Sequence, residues 1–186
     1  MSLAERQPAT RRIHVGQGEN HVTSDPDVML STILGSCVAA CLRDERAGVG
    51  GMNHFLLPDS VGNSNDPAAA ARYGAYAMEL LINSILRAGG RRETMTAKIF
   101  GGARMFDDLQ NIGGNNAIFA ERFLRDEGIP IIASSLGGRS ARRIHYWPAT
   151  GKALVRAVED ADAVKASERK RVREATPVVD GAVELF

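Results

Sequence analysis

Cys37 follows Gly35-Ser36, and His54 comes seventeen residues later. A thiol and an imidazole can form a nucleophile and its base. Held within hydrogen-bond reach, the imidazole lowers the thiol pKa from about 8.5 and takes the proton when sulfur attacks a carbonyl or amide carbon. The Gly35-Ser36 turn before the thiol suits the same chemistry, because a tight glycine-containing loop can aim the Ser36 and Cys37 N–H groups at a developing oxyanion. Residue by residue, other accounts stay open. A cysteine on an apolar strand is commonly a small buried hydrophobe, and Cys41, between Ala40 and Leu42 with no glycine loop, is read that way. His54 could cap a strand near the surface, while His14, His21 and His145 read as structural or exposed. A metal site built from Cys37, His54 and His145 has no recognisable ligand spacing.

Two strands must bring Cys37 and His54 together. Cys37 to Leu42 and Val49 to Leu57 are apolar runs separated by the turn material Asp44-Glu45-Arg46-Ala47-Gly48, which predicts a β-hairpin over 37–57. A two-residue turn at Glu45-Arg46 sets Cys37 directly opposite His54, with Cβ atoms about 4.5–5.5 Å apart. A two-residue shift of register leaves them diagonal neighbours on one face, and a one-residue shift separates them onto opposite faces. Gly50-Gly51 is a place where a bulge could change that register.

Around the hairpin, Arg11–Val15 and Val28–Ile33 read as strands. A helix is expected with Asp66 as N-cap, Pro67 in its first position and Gly89-Gly90 as its stop, burying Tyr73, Ala77, Leu81 and Ile85. Thr96–Phe100 reads as a strand, Ala117–Glu127 as a second helix and Pro130–Ser134 as the strand after it. Arg142–Trp147 and Lys152–Val158 read as a second hairpin. Gly101-Gly102 is better explained by a turn or close backbone packing than by a phosphate loop, since no GxGxxG or Walker pattern surrounds it. Hairpins outnumber regular crossovers, which favours an α+β fold with mixed sheets over a doubly wound parallel sheet.

The chain of 186 residues is long enough for one domain and short for two. Residues 1–10 read as a flexible leader and 11–158 as the domain. The segment 159–174 carries five acidic and five basic side chains, so 159–186 reads as a charged tail. Lys+Arg 23 against Asp+Glu 22 leaves no field that would favour nucleic acid or an anionic membrane. No apolar run approaches the ~18 residues that span a bilayer, and the first residues contain no signal-peptide core, so a cytoplasmic location is expected. Cys37 and Cys41, four residues apart on a strand, are separated by roughly 13 Å. A disulfide needs Cα atoms within about 7 Å, so they cannot bridge each other, as suits a reducing compartment.

The blocks LGSCVAACLRD (34–44) and VGGMNHFLLPDS (49–60) resemble the chemoreceptor glutamine deamidase CheD family, and further similarity lies in AKIFGGARMF (97–106), NIG (111–113), LGGRSARRI (136–144) and ATGKALVR (149–156). The resemblance spans about residues 11–158. It implies a layered α/β/β/α arrangement with a papain-like thiol hydrolase site, a Cys-His-Thr triad and no cofactor or metal. Cys37 and His54 match the nucleophile and base. The family threonine is expected six positions before the cysteine, where this chain has Ser31, so the orienting hydroxyl is carried to Ser31; Thr32 would point to the other face of an extended strand. NIGGNN lacks the basic residue expected after NIG. The implied reaction converts glutamine side chains of methyl-accepting chemotaxis receptors to glutamate through a cysteine thioester, releasing ammonia. A CheC-type phosphatase is the implied second partner. A related thiol hydrolase acting on other proteins, or a non-catalytic adaptor binding receptor and phosphatase, is the alternative.

Overall fold

The computed structural model describes residues 10–57, 67–105, 111–158 and 166. Apart from Thr10 and Ala166, the expected leader and charged tail lie outside the described residues, as does the expected N-cap Asp66. The elements in chain order are β1 (Arg11–His14), β2 (Asn20–Thr23), β3 (Val28–Leu34), β4 (Val38–Asp44), β5 (Val49–Asn53), α1 (Pro67–Arg87), β6 (Met95–Gly101), α2 (Ile112–Asp126), β7 (Ile131–Leu136), β8 (Arg142–Trp147) and β9 (Lys152–Ala157).

The strands form two mixed sheets, one ordered β1-β3-β8-β9 and the other β2-β5-β4-β6-β7. β1–β3 and β6–β7 are the parallel pairs, and α2 provides the crossover that a parallel β6–β7 pair requires. The fold is therefore α+β with mixed sheets, as the sequence predicts. Both helices pack on one face of the five-stranded sheet, over a core that includes Leu42, Phe55, Met78, Leu81, Ile85, Ile99 and Leu124. The opposite face meets the four-stranded sheet through Leu30, Leu34, Met52, Phe100, Ile144 and Tyr146. Tyr146 ties the sheets together by donating its hydroxyl to Leu42 O at 3.2 Å. Among the described residues the layers are helices, sheet and sheet, and the fourth layer of the expected α/β/β/α order is not among them. No helix among the described residues is long and apolar enough to cross a membrane.

Several local expectations change. β2 was not foreseen because NHVT is short and carries no apolar alternation; its strand character comes from pairing with β5. The hairpin turn has four residues, Glu45–Gly48, not two. Asp44 accepts from the Arg46 amide and Gly48 adopts φ +64°, which stabilise the longer loop. Tyr73 is exposed, because a strict four-residue spacing drifts about 40° per step on a helix of 3.6 residues per turn. Leu81 and Ile85 are buried as expected, and Ala70, Met78 and Ile82 complete the stripe. α2 begins at Ile112, with the Asn111 side chain accepting from Gly114 N, so its first turn includes Gly113 and Gly114, ahead of the expected start at Ala117.

Candidate active site

Register decides whether Cys37 and His54 meet. Asp44 pairs with Val49 and Cys41 with Met52, and the same register continues past an interruption to the bridge Val38↔Phe55. Inside that interruption the Asn53 side chain accepts from Ala40 N at 2.9 Å, so no bulge arises at Gly50-Gly51. Those glycines serve close approach instead: a Cβ on Gly50 would lie 2.7 Å from Leu42 O, and one on Gly51 would lie 2.6 Å from His21 O. The register is two residues away from setting Cys37 directly opposite His54. The pair are therefore diagonal neighbours on the same face, at a separation of about 7–8 Å between Cα atoms, flanking the Val38–Phe55 bridge. Both are buried, at 3% and 2% exposure, on the side of the five-stranded sheet that faces the other sheet.

The loop carrying Cys37 is fixed through three successive carbonyls. Gly35 O accepts from Ala103 N at 2.8 Å, Ser36 O from Asn116 Nδ2 at 2.9 Å and Cys37 O from Gly102 N at 2.8 Å. Gly101 has φ +111°, and a Cβ there would stand 2.1 Å from Cys37 O. The expectation of close backbone packing at Gly101-Gly102 thus holds, and what they pack against is the loop that carries Cys37. Gly113 has a matching role one layer out, since a Cβ on it would meet Ala103 O at 2.2 Å.

His54 is enclosed by the 15–19 loop. Its backbone carbonyl accepts from Gly18 N at 2.7 Å, and its amide donates to Glu19 O at 3.1 Å. In the side chain, Nδ1 lies 2.9 Å from Thr32 Oγ1 and 3.3 Å from Val15 O. Thr32 Oγ1 donates its one proton to Val15 O at 2.8 Å, so toward the imidazole it can only accept. Nδ1 therefore carries the ring proton, and Nε2 is the basic nitrogen of the neutral ring. The same loop brings Gln17 Oε1 to 3.7 Å from Cys37 Sγ, where it accepts from the thiol.

The hydroxyl on the imidazole is thus that of Thr32, which corrects the expectation of Ser31. Strand alternation explains the difference. Thr32 shares parity with Val28, Leu30 and Leu34, which face the other sheet, whereas Ser31 belongs to the outer face of β3, paired in register with His14 and His145. VMLSTIL is apolar at both parities, so no hydrophobic alternation in the sequence marked which face was inward. Gln17 was also missed, and nothing in its local sequence distinguishes it.

Neither cysteine forms a disulfide. Cys41 behaves as the sequence suggests: it is 1% exposed in mid-strand, and burial pushes its thiol pKa up. His145 lies on the outer face, where burial and the charges of Arg12, Arg143 and Arg156 hold its pKa down. It does not join Cys37 and His54, and among the described residues no group of three His, Cys, Asp or Glu could hold a metal.

The CheD family model, described as CheD chemotactic sensory transduction, matches residues 56–157. A relative in Caulobacter vibrioides (strain NA1000 / CB15N), named "Probable chemoreceptor glutamine deamidase CheD", is 57% identical over 175 residues, covering 94% of this chain and 93% of its own. Relatives of the same name in Caulobacter sp. (strain K31) and Rhizobium rhizogenes (strain K84 / ATCC BAA-868) are 55% and 50% identical and cover 98% and 97% of this chain and 97% and 98% of their own. Among solved structures, Bacillus licheniformis hypothetical protein YfiH matches with a TM-score of 0.40 at 14% identity, and Neisseria meningitidis protein NMB0706 with 0.42 at 11%. The matches cover 71% and 68% of this chain and 61% and 62% of those chains. On the strength of the matched domain and of relatives this similar over nearly its whole length, the chain belongs to the CheD family.

Proposed function

We propose that the protein is a cysteine-dependent glutamine deamidase that converts glutamine side chains of chemotaxis receptors to glutamate. The observation that carries this reading is the hydrogen-bond chain from Val15 O through Thr32 Oγ1 to His54 Nδ1, which leaves Nε2 basic on the face that His54 shares with Cys37. The names of the relatives supply the substrate class.

In the reaction, His54 Nε2 takes the Cys37 proton and the thiolate attacks the glutamine Cδ, forming the C–S bond. The Cys37 N–H, with that of Ser36, stabilises the oxyanion. Thr32 accepts from Nδ1–H and holds the imidazolium in orientation. The imidazolium protonates the departing nitrogen, the C–N bond breaks, and ammonia leaves a thioester. Water deprotonated by His54 then attacks the thioester; the C–S bond breaks, the thiol regains its proton and glutamate is released. The residues themselves supply every group these steps require. The receptor segments and a CheC-type phosphatase are the expected partners, and a cytoplasmic site of action follows from them.

The test is mass spectrometry of receptor co-expressed with wild-type, Cys37→Ala or His54→Ala protein. Gln-to-Glu conversion is expected only with the wild type. Conversion that survives either substitution removes the assigned roles, and full chemotaxis with Cys37→Ala favours the adaptor.

A further inference from the structure

We infer that Asn116 is a positioning residue for the oxyanion site, an inference that rests on the thiol-hydrolase reading above. Asn116 is in the second turn of α2, fully buried, and no step of the proposed reaction uses it. Its Nδ2 donates to Ser36 O at 2.9 Å, and its Oδ1 accepts from Leu57 N at 2.8 Å. Donor and acceptor demands fix the orientation of the amide, since a flipped group would set Nδ2 against an N–H and Oδ1 against a carbonyl. One side chain therefore joins the residue before the nucleophile to the segment three residues past the base.

The consequence follows from peptide geometry. The Ser36–Cys37 peptide is planar and trans, so its C=O and N–H point in opposite directions. By holding Ser36 O on the α2 side, Asn116 turns the Cys37 N–H away from α2. The neighbouring carbonyls, Gly35 O and Cys37 O, are held by backbone amides of Ala103 and Gly102 that no side-chain change removes. Asn116 is the side-chain contact among the three, and it holds the peptide whose N–H is the proposed oxyanion donor. Its hydrogen bond from Leu57 N anchors the other end of the amide, so the Ser36–Cys37 peptide plane is held from α2 as well as by its backbone neighbours.

A donor that matters only when charge develops on oxygen affects turnover and leaves ground-state binding and thiol ionisation alone. The test variant is Asn116→Asp, which is isosteric, keeps the acceptor for Leu57 and loses the donor when ionised. Ammonia release from a receptor fragment is measured for kcat and KM, and iodoacetamide alkylation of Cys37 is followed against pH. The expected result is a fall in kcat of roughly 100-fold with KM within about threefold and an unchanged alkylation profile. Burial favours the protonated carboxyl, which can again donate to Ser36 O, so the variant-to-wild-type kcat ratio is expected to rise by about fivefold or more between pH 8 and pH 6.

Wild-type kcat at pH 8 in a folded Asn116→Ala protein, which has no donor in any protonation state, overturns the inference whatever Asn116→Asp shows. So does a loss of kcat accompanied by a shifted alkylation profile, which would mean that the thiol and imidazole had moved apart. Asn116→Ala is measured in the same way as Asn116→Asp, with the same fall in kcat expected. Cys37→Ala serves as the control: activity that persists in it removes the thiol-hydrolase reading, whereas loss in Cys37→Ala alongside a fully active Asn116→Ala removes only the role of Asn116.

Discussion

Cys37 and Cys41 share one strand direction, one face and nearly the same burial, yet their surroundings differ in every respect that matters for reactivity. Cys41 lies within regular β pairing, opposite Met52 on one side and Lys98 on the other, and burial dominates its ionisation. Cys37 is one residue ahead of the strand, at the end of the Gly35-Ser36 turn, and its carbonyl accepts from Gly102. Four residues of chain separate a thiol held within regular pairing from one at a loop whose carbonyls are each tied down. Burial alone therefore does not distinguish the two thiols; the loop and the polar groups around them do.

The largest test of that contrast exchanges the two thiols for alanine. Cys37→Ala is expected to lower deamidation by more than about 10⁴-fold, a loss of over 5 kcal/mol in transition-state stabilisation, with its unfolding midpoint near the wild-type value. Cys41→Ala is expected to stay within about threefold in activity while losing roughly 1 kcal/mol of stability from core packing. Ammonia release and denaturant unfolding of both variants decide the matter, and equal activity losses would erase the distinction.

A smaller effect tests the imidazole end of the site. Thr32→Val keeps the shape of the side chain and removes the acceptor for Nδ1–H. That hydrogen bond becomes charge-assisted once His54 is protonated, which makes it worth about 1.5–3 kcal/mol, or roughly a 10- to 150-fold fall in kcat. Thr32→Ser, which retains the hydroxyl, is expected to recover most of the activity. Ser31→Ala, on the outer face of β3, is expected to change kcat by less than about threefold. Stopped-flow or steady-state assays of the three variants would return the orienting role to Ser31 if the order were reversed.

That pair of adjacent hydroxyls also marks the limit of what the sequence discloses. That Cys37 and His54 share a face was legible because hairpin parity survives a two-residue error: the turn was longer than expected, but the even shift kept both side chains on one face. The glycines at 101–102 were legible as close packing from the absence of a phosphate-loop pattern, although nothing local said that their partner was the Cys37 carbonyl. Thr32 was not legible, because β3 is buried on both faces and its apolar run hides the parity that separates Ser31 from Thr32. Asn116 and Gln17 were missed for a different reason. Their contacts are long-range, Asn116 with residues 36 and 57 and Gln17 with residue 37, and no periodicity or capping rule reports a contact made across the fold. Resemblance supplied the chemistry; register and parity determined which atoms could carry it out.

The mildest prediction uses the thiol that does no chemistry. Burial raises the Cys41 pKa above its ordinary value of 9.0, so the folded protein keeps a proton that the unfolded chain releases. For a group raised in this way, its contribution to stability is fully present below pH 9 and declines as pH rises past it, by up to about 1.4 kcal/mol per pH unit. Tyr146 is shifted in the same direction, by burial and by the neighbouring Cys41, but its ordinary value of 10.0 places its loss higher in pH. Removing Cys41 isolates its share. Between pH 9 and pH 10 the wild type is expected to lose about 1 kcal/mol more unfolding free energy than Cys41→Ala, as read by urea unfolding at each pH. Parallel losses in the two proteins would mean that Cys41 can ionise where it sits, and that the difference between the two cysteines does not lie in the solvation of their thiolates.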